Sequence, residues 1–220
     1  MTAAQEEALA TMKEKFPEES DQTLIRFLKA RDFKASKAER LFIRSKEWRL
    51  RTHPEALTII DIAHELKRGY IFRHYQDKFH RPVLIFRAAR YFPSQIRVEE
   101  AERLILYLLE SGINDMLADV KGFCMIADMK DVGLTNFSYP HFKHFAHLIQ
   151  DFYPERLGSA FIVNVSWVVK TMWVTAKPLL NQRTIEKIHF LETKEMKKLL
   201  EVVEENVLPA EYGGAAQVIA

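Results

Sequence analysis

The stretch Gly-Phe-Cys-Met-Ile-Ala-Asp-Met, at residues 122–129, predicts a buried β-strand that ends at Asp128. A second apolar run, Ala-Phe-Ile-Val-Asn-Val at residues 160–165, predicts another buried strand. The segment between them carries apolar residues at helical spacing, namely Phe142, Phe145, Ile149 and Phe152. A strand, a helix and a second strand in this order are typical of a crossover that joins two parallel strands.

The flanking segments extend the same alternation. Residues 70–75 and 82–87 predict a strand pair, residues 167–177 a helix that Pro178 ends, and residues 187–190 a short strand. A helical stripe precedes the central strand, formed by Ala101, Leu104, Ile105, Leu108, Leu109, Gly112 and Ile113. A last helix is marked by Met196, Leu199, Leu200 and Val203. The pattern predicts an α/β fold with right-handed crossovers and a mostly parallel sheet flanked by helices.

The first sixty residues contain helical patterns only. A polar helix ends at Pro17, and a longer one buries a stripe formed by Ala38, Leu41, Phe42, Ser45 and Trp48. We therefore predict an N-terminal helical module at residues 1–60 and a second domain at residues 61–220. Residues 24–53 hold ten lysines and arginines against three acids. This basic face is either a solvated helix surface or one that meets anionic lipid.

Composition excludes several classes of protein. A net charge of +2 argues against a dedicated nucleic-acid binder, and seven glycines without a Gly-rich loop argue against a nucleotide-phosphate site. The single Cys124 rules out an internal disulfide. No segment reaches the roughly 18 apolar residues of a membrane span, and none is typical of a secretory signal. We expect a cytoplasmic monomer.

Few residues suggest catalysis. Asp128 and Asp131 follow a buried strand, where carboxylates either serve phosphotransfer or a metal, or bond the local backbone. Three histidines are spaced three residues apart without a neighbouring acid or cysteine ligand, which predicts surface residues: His141, His144 and His147. Cys124 lies in an apolar strand, where a thiol is typically inert. We predict no catalytic residue, no metal and no cofactor.

The segment at residues 167–177 is apolar nearly all round, with Lys170 and Lys177 on one narrow stripe. Trp167 and Val174 flank these lysines. Such a helix is either fully buried or faces an apolar ligand or a membrane.

Six short motifs occur in order along the chain: LIRFLKARDF at residues 24–33, WR at 48–49, HRPV at 80–83, DFYPERLG at 151–158, KPLL at 177–180 and LPAEYGG at 208–214. Taken together, they resemble the motifs of CRAL-TRIO lipid-binding proteins. The resemblance implies a helical module and an α/β domain whose sheet floors an apolar pocket. It also implies a movable helix that closes the pocket over one lipid.

Within that family the sequence is most similar to the phosphatidylinositol/phosphatidylcholine transfer branch. This resemblance implies a phosphoinositide headgroup site at Arg31, Glu155, Thr184 and Lys187, in which Glu155 holds Lys187 by a charge-assisted hydrogen bond. A plain ion pair is the alternative for those two residues. The apolar pocket is predicted at Phe123, Met125, Ile162, Trp173 and Phe190. The gate helix is predicted to carry Trp167, Val169, Lys170, Trp173 and Lys177.

Two departures from the branch affect the ligand. Asp32 replaces a basic residue beside Arg31, and Phe123 and Met125 replace small hydroxyl residues of the choline-lipid site. Asp32 weakens the cationic headgroup site. Phe123 and Met125 cannot supply hydroxyl hydrogen bonds, which argues against phosphatidylcholine and favours a sterol, a retinoid, a tocopherol or another apolar second ligand.

The resulting prediction is a non-enzymatic lipid-transfer protein. It would take up phosphatidylinositol and a second hydrophobic lipid and exchange them during transient contact with an anionic membrane. One alternative is a lipid-sensing regulatory or scaffold module that docks a protein partner through residues 24–53. Another is an enzyme that uses Asp128 and Asp131.

Overall fold

The computed structural model describes residues 1–117, 120 and 122–217, which fall into two compact units. The first unit comprises Met1–His53 together with His147–Arg156. The second comprises Pro54–Ala146 together with Leu157–Ala220. Residues 118, 119, 121 and 218–220 of the predicted second domain lie outside the described residues.

The first unit is built on three helices, α1 (Ala3–Lys15), α2 (Asp21–Lys29) and α3 (Ala35–Thr52). The predicted stripe of α3 is confirmed, because all five of its residues are buried: Ala38, Leu41, Phe42, Ser45 and Trp48. The indole of Trp48 stacks on the ring of Phe152 at a centroid distance of 4.2 Å. This stacking ties the end of a later helix into the unit.

The second unit contains α4 (Ile59–Leu66), α5 (Val98–Asn114), α7 (Trp167–Ala176) and the short α8 (Gln182–Ile185). A further helix, α6 (Tyr139–Phe152), begins in this unit and ends in the first. The last predicted helix is a 3₁₀ helix at Thr193–Glu201; the apolar pattern predicted a helix at this place but not its type. No helix among the described residues has the length and apolarity needed to cross a membrane.

Within the described part of the chain, the sheet has five strands in the spatial order β1-β2-β3-β4-β5: β1 (Ile71–Gln76), β2 (Pro82–Arg87), β3 (Phe123–Asp128), β4 (Leu157–Val163) and β5 (Ile188–Leu191). β1 pairs with β2 antiparallel, and all later neighbours are parallel. The α/β prediction is therefore confirmed. β4 ends at Val163 rather than at residue 165, because Asn164 has a left-handed backbone (φ +57°).

Strand register divides the apolar residues between two faces, since alternate residues of a strand point to opposite sides. We call one side the packed face; its strand residues are Val83, Ile85, Cys124, Ile126, Phe161, Val163 and Leu191. They are buried beneath a cover formed by Leu199, Val203, Leu208 and Tyr212. We call the other side the open face; it carries Leu84, Phe86, Phe123, Met125, Ala127, Ala160, Ile162, Ile188 and Phe190.

Candidate functional site

The open face gathers the predicted pocket residues of the strands. Ala127 lies beside Ile162, and Ile162 lies beside Phe190 on the next strand, so these side chains form one row. Met125 occupies the preceding row. Met125 and Ile162 are only half-buried, and Phe190 is 37% exposed. The β3–β5 part of the open face is thus an apolar surface that the protein covers incompletely.

Phe123 differs from the other predicted pocket residues. It is buried, and its ring lies so close to Gly112 of α5 that a side chain at that glycine would overlap it. Phe123 therefore packs against α5 and closes the open face at that end of β3.

Helix α7 presents two opposite stripes. On one, Val169 and Ala176 are buried, and the indole of Trp173 meets the ring of Phe190 at a centroid distance of 5.2 Å. On the other, two apolar residues and two lysines are exposed: Trp167, Lys170, Val174 and Lys177. Trp167 is 77% exposed and Val174 is 73% exposed. The helix thus joins the open face through Trp173 and also carries an apolar surface directed to solvent.

A cleft of about 610 Å³ lies at the carboxyl ends of β3, β4 and β5. Its lining includes Lys130 after β3, Lys170 of α7 and Phe190 of β5. Asp131, Glu192 and Glu195 supply its carboxylates. Ligands of open α/β sheets commonly bind at this edge. The cleft therefore brings together residues of the predicted gate helix and of the predicted pocket.

Arg31 and Glu155, two of the predicted headgroup residues, lie in the first unit. The Arg31 guanidinium donates to the Ala30 carbonyl oxygen at 2.8 Å and pairs with the Asp151 carboxylate at 3.3 Å. Arg44 pairs with the other oxygen of Asp151. Glu155 has a left-handed backbone (φ +56°), which an L-residue adopts at an energetic cost. Arg31 is thus held by a carboxylate while about a third of its side chain stays exposed.

Thr184 and Lys187 lie in the second unit, on one turn. The Asn181 side chain caps the N-terminus of α8 and accepts a hydrogen bond from the Thr184 amide at 2.8 Å. The Lys187 amide donates to the Thr184 carbonyl oxygen at 3.1 Å. The Lys187 carbonyl oxygen then accepts from the Ala160 amide at 2.8 Å. Backbone bonds therefore place both half-buried residues in a fixed relation to β4. The predicted bond between Glu155 and Lys187 stays a prediction.

Asp128 is surrounded by donors from the protein itself. One of its carboxylate oxygens accepts from the Lys130 amide at 2.9 Å and from the Asn164 side chain at 2.7 Å. The other accepts from the Tyr212 hydroxyl at 3.2 Å. The bond from the Lys130 amide corresponds to the backbone-bonding alternative for this residue, and the side chains of Asn164 and Tyr212 add to it. They give Asp128 a structural role at the end of β3.

The other candidate groups also have local partners. His141 contacts the Tyr91 hydroxyl at 2.6 Å, and partial burial together with nearby His144 lowers the pKa of His141. His144 pairs with Glu102 at 2.6 Å.

Burial raises the pKa of the Cys124 thiol to about 11, which keeps it protonated near neutral pH. Among the described residues, no cluster of three His, Cys, Asp or Glu side chains could hold a metal ion.

The sequence prediction missed part of the open face. Ile188, two residues before Phe190, and Phe86, which lies beside Ala127, are on this face and are half-buried. Strand alternation in residues 187–190 would have paired Ile188 with Phe190. The partnership of Arg31 with Asp151 was missed too, because the two residues are 120 positions apart.

Two family models match this sequence. The CRAL/TRIO domain matches residues 66–214, and the CRAL/TRIO, N-terminal domain matches residues 3–44. The chain belongs to the CRAL/TRIO family. The crystal structure of Sfh5 has the same fold as this CRAL/TRIO chain, with a TM-score of 0.80 at 16% identity over 98% of this chain and 88% of that one.

This CRAL/TRIO chain is similar in sequence to relatives from yeast and plants. Sec14 cytosolic factor of Schizosaccharomyces pombe is 28% identical over 220 residues, which cover 90% of this chain and 75% of that protein. Phosphatidylinositol/phosphatidylcholine transfer protein SFH11 of Arabidopsis thaliana is 29% identical over 215 residues, covering 87% of this chain and 56% of that protein. The chain thus spans about half of the length of the plant relative.

Proposed function

We propose that this CRAL/TRIO chain binds a lipid on the open face of its sheet and transfers it between membranes. The observation that supports this most directly is the half-buried apolar row of Ile162 and Phe190, which Trp173 of α7 covers only in part. An apolar floor of this kind gains free energy when an acyl chain replaces water on it, by about 0.8 kcal/mol per buried methylene. The relative named as a phosphatidylinositol/phosphatidylcholine transfer protein supports the same function.

The proposed lipids are phosphatidylinositol and a second hydrophobic ligand. In the second unit, Thr184 and Lys187 would supply donors to the phosphoinositide headgroup. The predicted roles of Arg31 and Glu155, which lie in the first unit, stay predictions. Phe123 and Met125 provide no hydroxyl group, so the second ligand is expected to be more apolar than phosphatidylcholine. No bound group other than this lipid is proposed, and no bond is made or broken.

In the proposed mechanism, α7 moves away from the open face at a membrane and returns once a lipid has entered. The hinge of this movement would lie at the 3₁₀ turn Lys177–Leu179, because Pro178 cannot continue the helical hydrogen bonds of α7. The protein would act in the cytoplasm as a monomer that contacts membranes transiently.

Two substitutions in the predicted headgroup site test the proposal. We expect Lys187→Ala and Thr184→Val each to lower phosphatidylinositol transfer between vesicles, by about tenfold for the lysine, which is the size of one charge-assisted hydrogen bond. Lys67→Ala is the matched control, because it removes the same charge from an exposed side chain of the same unit, at the end of α4 and outside the lining of the cleft. A thermal melt must accompany each variant, since Lys187 also has contacts within the protein.

Native mass spectrometry of the purified protein completes the test. A bound phospholipid or sterol supports the proposal, and a protein that takes up no lipid from mixed vesicles contradicts it. Transfer that is unchanged in both headgroup variants would show that these residues do not select the lipid.

A lipid-sensing module is the second candidate function. Helix α3 exposes Ile43 and Leu50, at 41% and 71%, on a helix that also exposes Lys37 and Arg40. This face could dock a protein partner. Lipid loading without measurable transfer between vesicles would favour sensing over transfer.

A further inference from the structure

The three strands β2, β3 and β4 run parallel, so their carboxyl ends lie at one edge of the sheet. Each is followed at that edge by a connector that exposes a large apolar side chain. These are Phe92 after β2, Leu134 after β3 and Trp167 at the start of α7 after β4, with exposures of 36%, 74% and 77%. Exposed apolar residues on three successive connectors of one edge form a pattern that the predicted gate helix alone does not explain.

The first two connectors are joined. The Asn136 side-chain amide donates to the carbonyl oxygens of Ala89 and Tyr91, at 3.2 and 3.1 Å. Its carbonyl oxygen accepts from the Gly133 amide at 2.9 Å. Leu134 lies between Gly133 and Asn136 on this fixed 3₁₀ turn. The leucine is therefore held outward on an ordered support.

Leu134 and Trp167 are also linked through the cleft at the strand ends. Its lining includes Val132, two residues before Leu134, and Ser166 and Lys170, which flank Trp167 in the first turn of α7. The two connectors therefore border the same opening. This opening contains Phe190, the last residue of the open-face row.

Each apolar residue has an exposed basic neighbour on its own connector: Arg90 with Phe92, Lys130 with Leu134, and Lys170 with Trp167. Asp131 is the exposed acid among them. The other two acids of the cleft, Glu192 and Glu195, pair with Lys194 at 3.0 Å and Lys198 at 2.6 Å. The edge therefore offers positive charge beside each apolar side chain.

We propose that these three connectors form one membrane-docking edge, with Leu134 as its central anchor in an anionic phospholipid surface. Separate protruding side chains with adjacent cations suit a bilayer interface, where apolar groups enter the acyl region and amines meet the headgroups. The inference rests on the proposed lipid-transfer function, because docking here would bring the cleft to the membrane.

The experiment measures sedimentation of the full chain with vesicles of phosphatidylcholine and phosphatidylserine, or of phosphatidylcholine alone. We expect Leu134→Ser to weaken binding to the mixed vesicles about tenfold. Lys130→Ala should weaken it less, and only in vesicles that contain phosphatidylserine. Leu50→Ser on α3 is the matched control, because this leucine is 71% exposed and lies in the other unit.

Each outcome decides the proposal. Weakened binding for Leu134→Ser with unchanged binding for Leu50→Ser supports it. Weakened binding for Leu50→Ser with unchanged binding for Leu134→Ser overturns it in favour of the basic face at residues 24–53. Unchanged binding for both variants overturns it in favour of a protein contact at this edge. Native mass spectrometry separates these results from a failure of the proposed function. A wild-type chain that never loads lipid contradicts lipid transfer, whichever variant loses vesicle binding.

Discussion

On the packed face of the sheet Ile126 is fully buried, whereas on the open face its neighbours in sequence and space, Met125 and Ile162, stay half-buried. The side chains of the two faces are chemically alike. The difference lies in their cover, because the packed face meets the apolar residues Leu199, Val203, Leu208 and Tyr212, whereas α7 contacts the β4–β5 part of the open face at Phe190 through Trp173. Composition therefore does not separate Ile126 from Met125 and Ile162, and burial does.

The comparison teaches how one sheet can divide two tasks. Apolar surface that protein atoms cover contributes to the free energy of unfolding in every state of the molecule. Apolar surface left partly bare contributes only when something else covers it, and a ligand that binds the folded state then adds stability according to its concentration. The packed face is thus the permanent core, and the open face is the part whose stability would depend on a ligand.

The largest effect is expected from a matched pair of isoleucines. Ile126→Ala should lower the free energy of unfolding by about 2–5 kcal/mol, because it leaves a cavity in a fully buried site. Ile162→Ala should cost about 1–2 kcal/mol in lipid-free protein, because its side chain is only partly buried. Urea unfolding of both variants checks this. Equal losses would show that the open face is ordinary core.

An intermediate effect is expected where α5 closes the open face. Gly112→Ala would place a methyl group against the ring of Phe123 and should lower the free energy of unfolding by about 1–3 kcal/mol. The better helix propensity of alanine offsets up to about 1 kcal/mol of this. Ser111→Ala, at the preceding position of the helix, is the control and should stay within about 0.5 kcal/mol. A stabilised Gly112→Ala protein would mean that Phe123 moves freely.

The smallest effect is a pH dependence on the packed face. Burial raises the pKa of Cys124 from 9.0 to about 11, so the folded chain keeps a proton that the unfolded chain loses. The unfolded state then binds fewer protons, and the free energy of unfolding should fall by roughly 1 kcal/mol between pH 9 and pH 10. Cys124→Ala should remove this contribution. Parallel pH profiles for the two proteins would contradict it.

Thiol labelling sharpens the same contrast between adjacent positions. Native Cys124 should resist iodoacetamide at neutral pH, because it is buried and protonated. A Met125→Cys substitution in a Cys124→Ala background should react, and bound lipid should slow that reaction. Rapid labelling of Cys124 would mean that solvent reaches the packed face, which contradicts its description as permanent core.

Periodic features were predictable from the sequence. The stripe of α3 and the strands at residues 82–87 and 122–129 follow from local spacing, since a buried face repeats every 3.6 residues in a helix and every two in a strand. Alternation also placed Phe123 and Met125 on one face. The resemblance of the ordered motifs to CRAL-TRIO proteins then gave the architecture, which the family matches confirm.

Features that depend on distant partners were not predictable. The sequence offers no sign that Asp151 pairs with Arg31 and Arg44, because ion pairs have no period. Nor does it show that Leu134 is exposed, because this leucine lies outside the helical and strand patterns of the sequence. Burial depends on which segments meet in the folded chain, and only the structure supplies that.

The cover of the packed face has a consequence for the order in which the protein is made. The Tyr212 hydroxyl bonds Asp128 across 84 positions of sequence, and all five strands precede the covering segment that begins near Leu199. A ribosome therefore releases every strand while one side of the sheet is still bare apolar surface in water. Nascent chains halted before Tyr212 should be held by chaperones or aggregate, and chains extended past it should become resistant to protease.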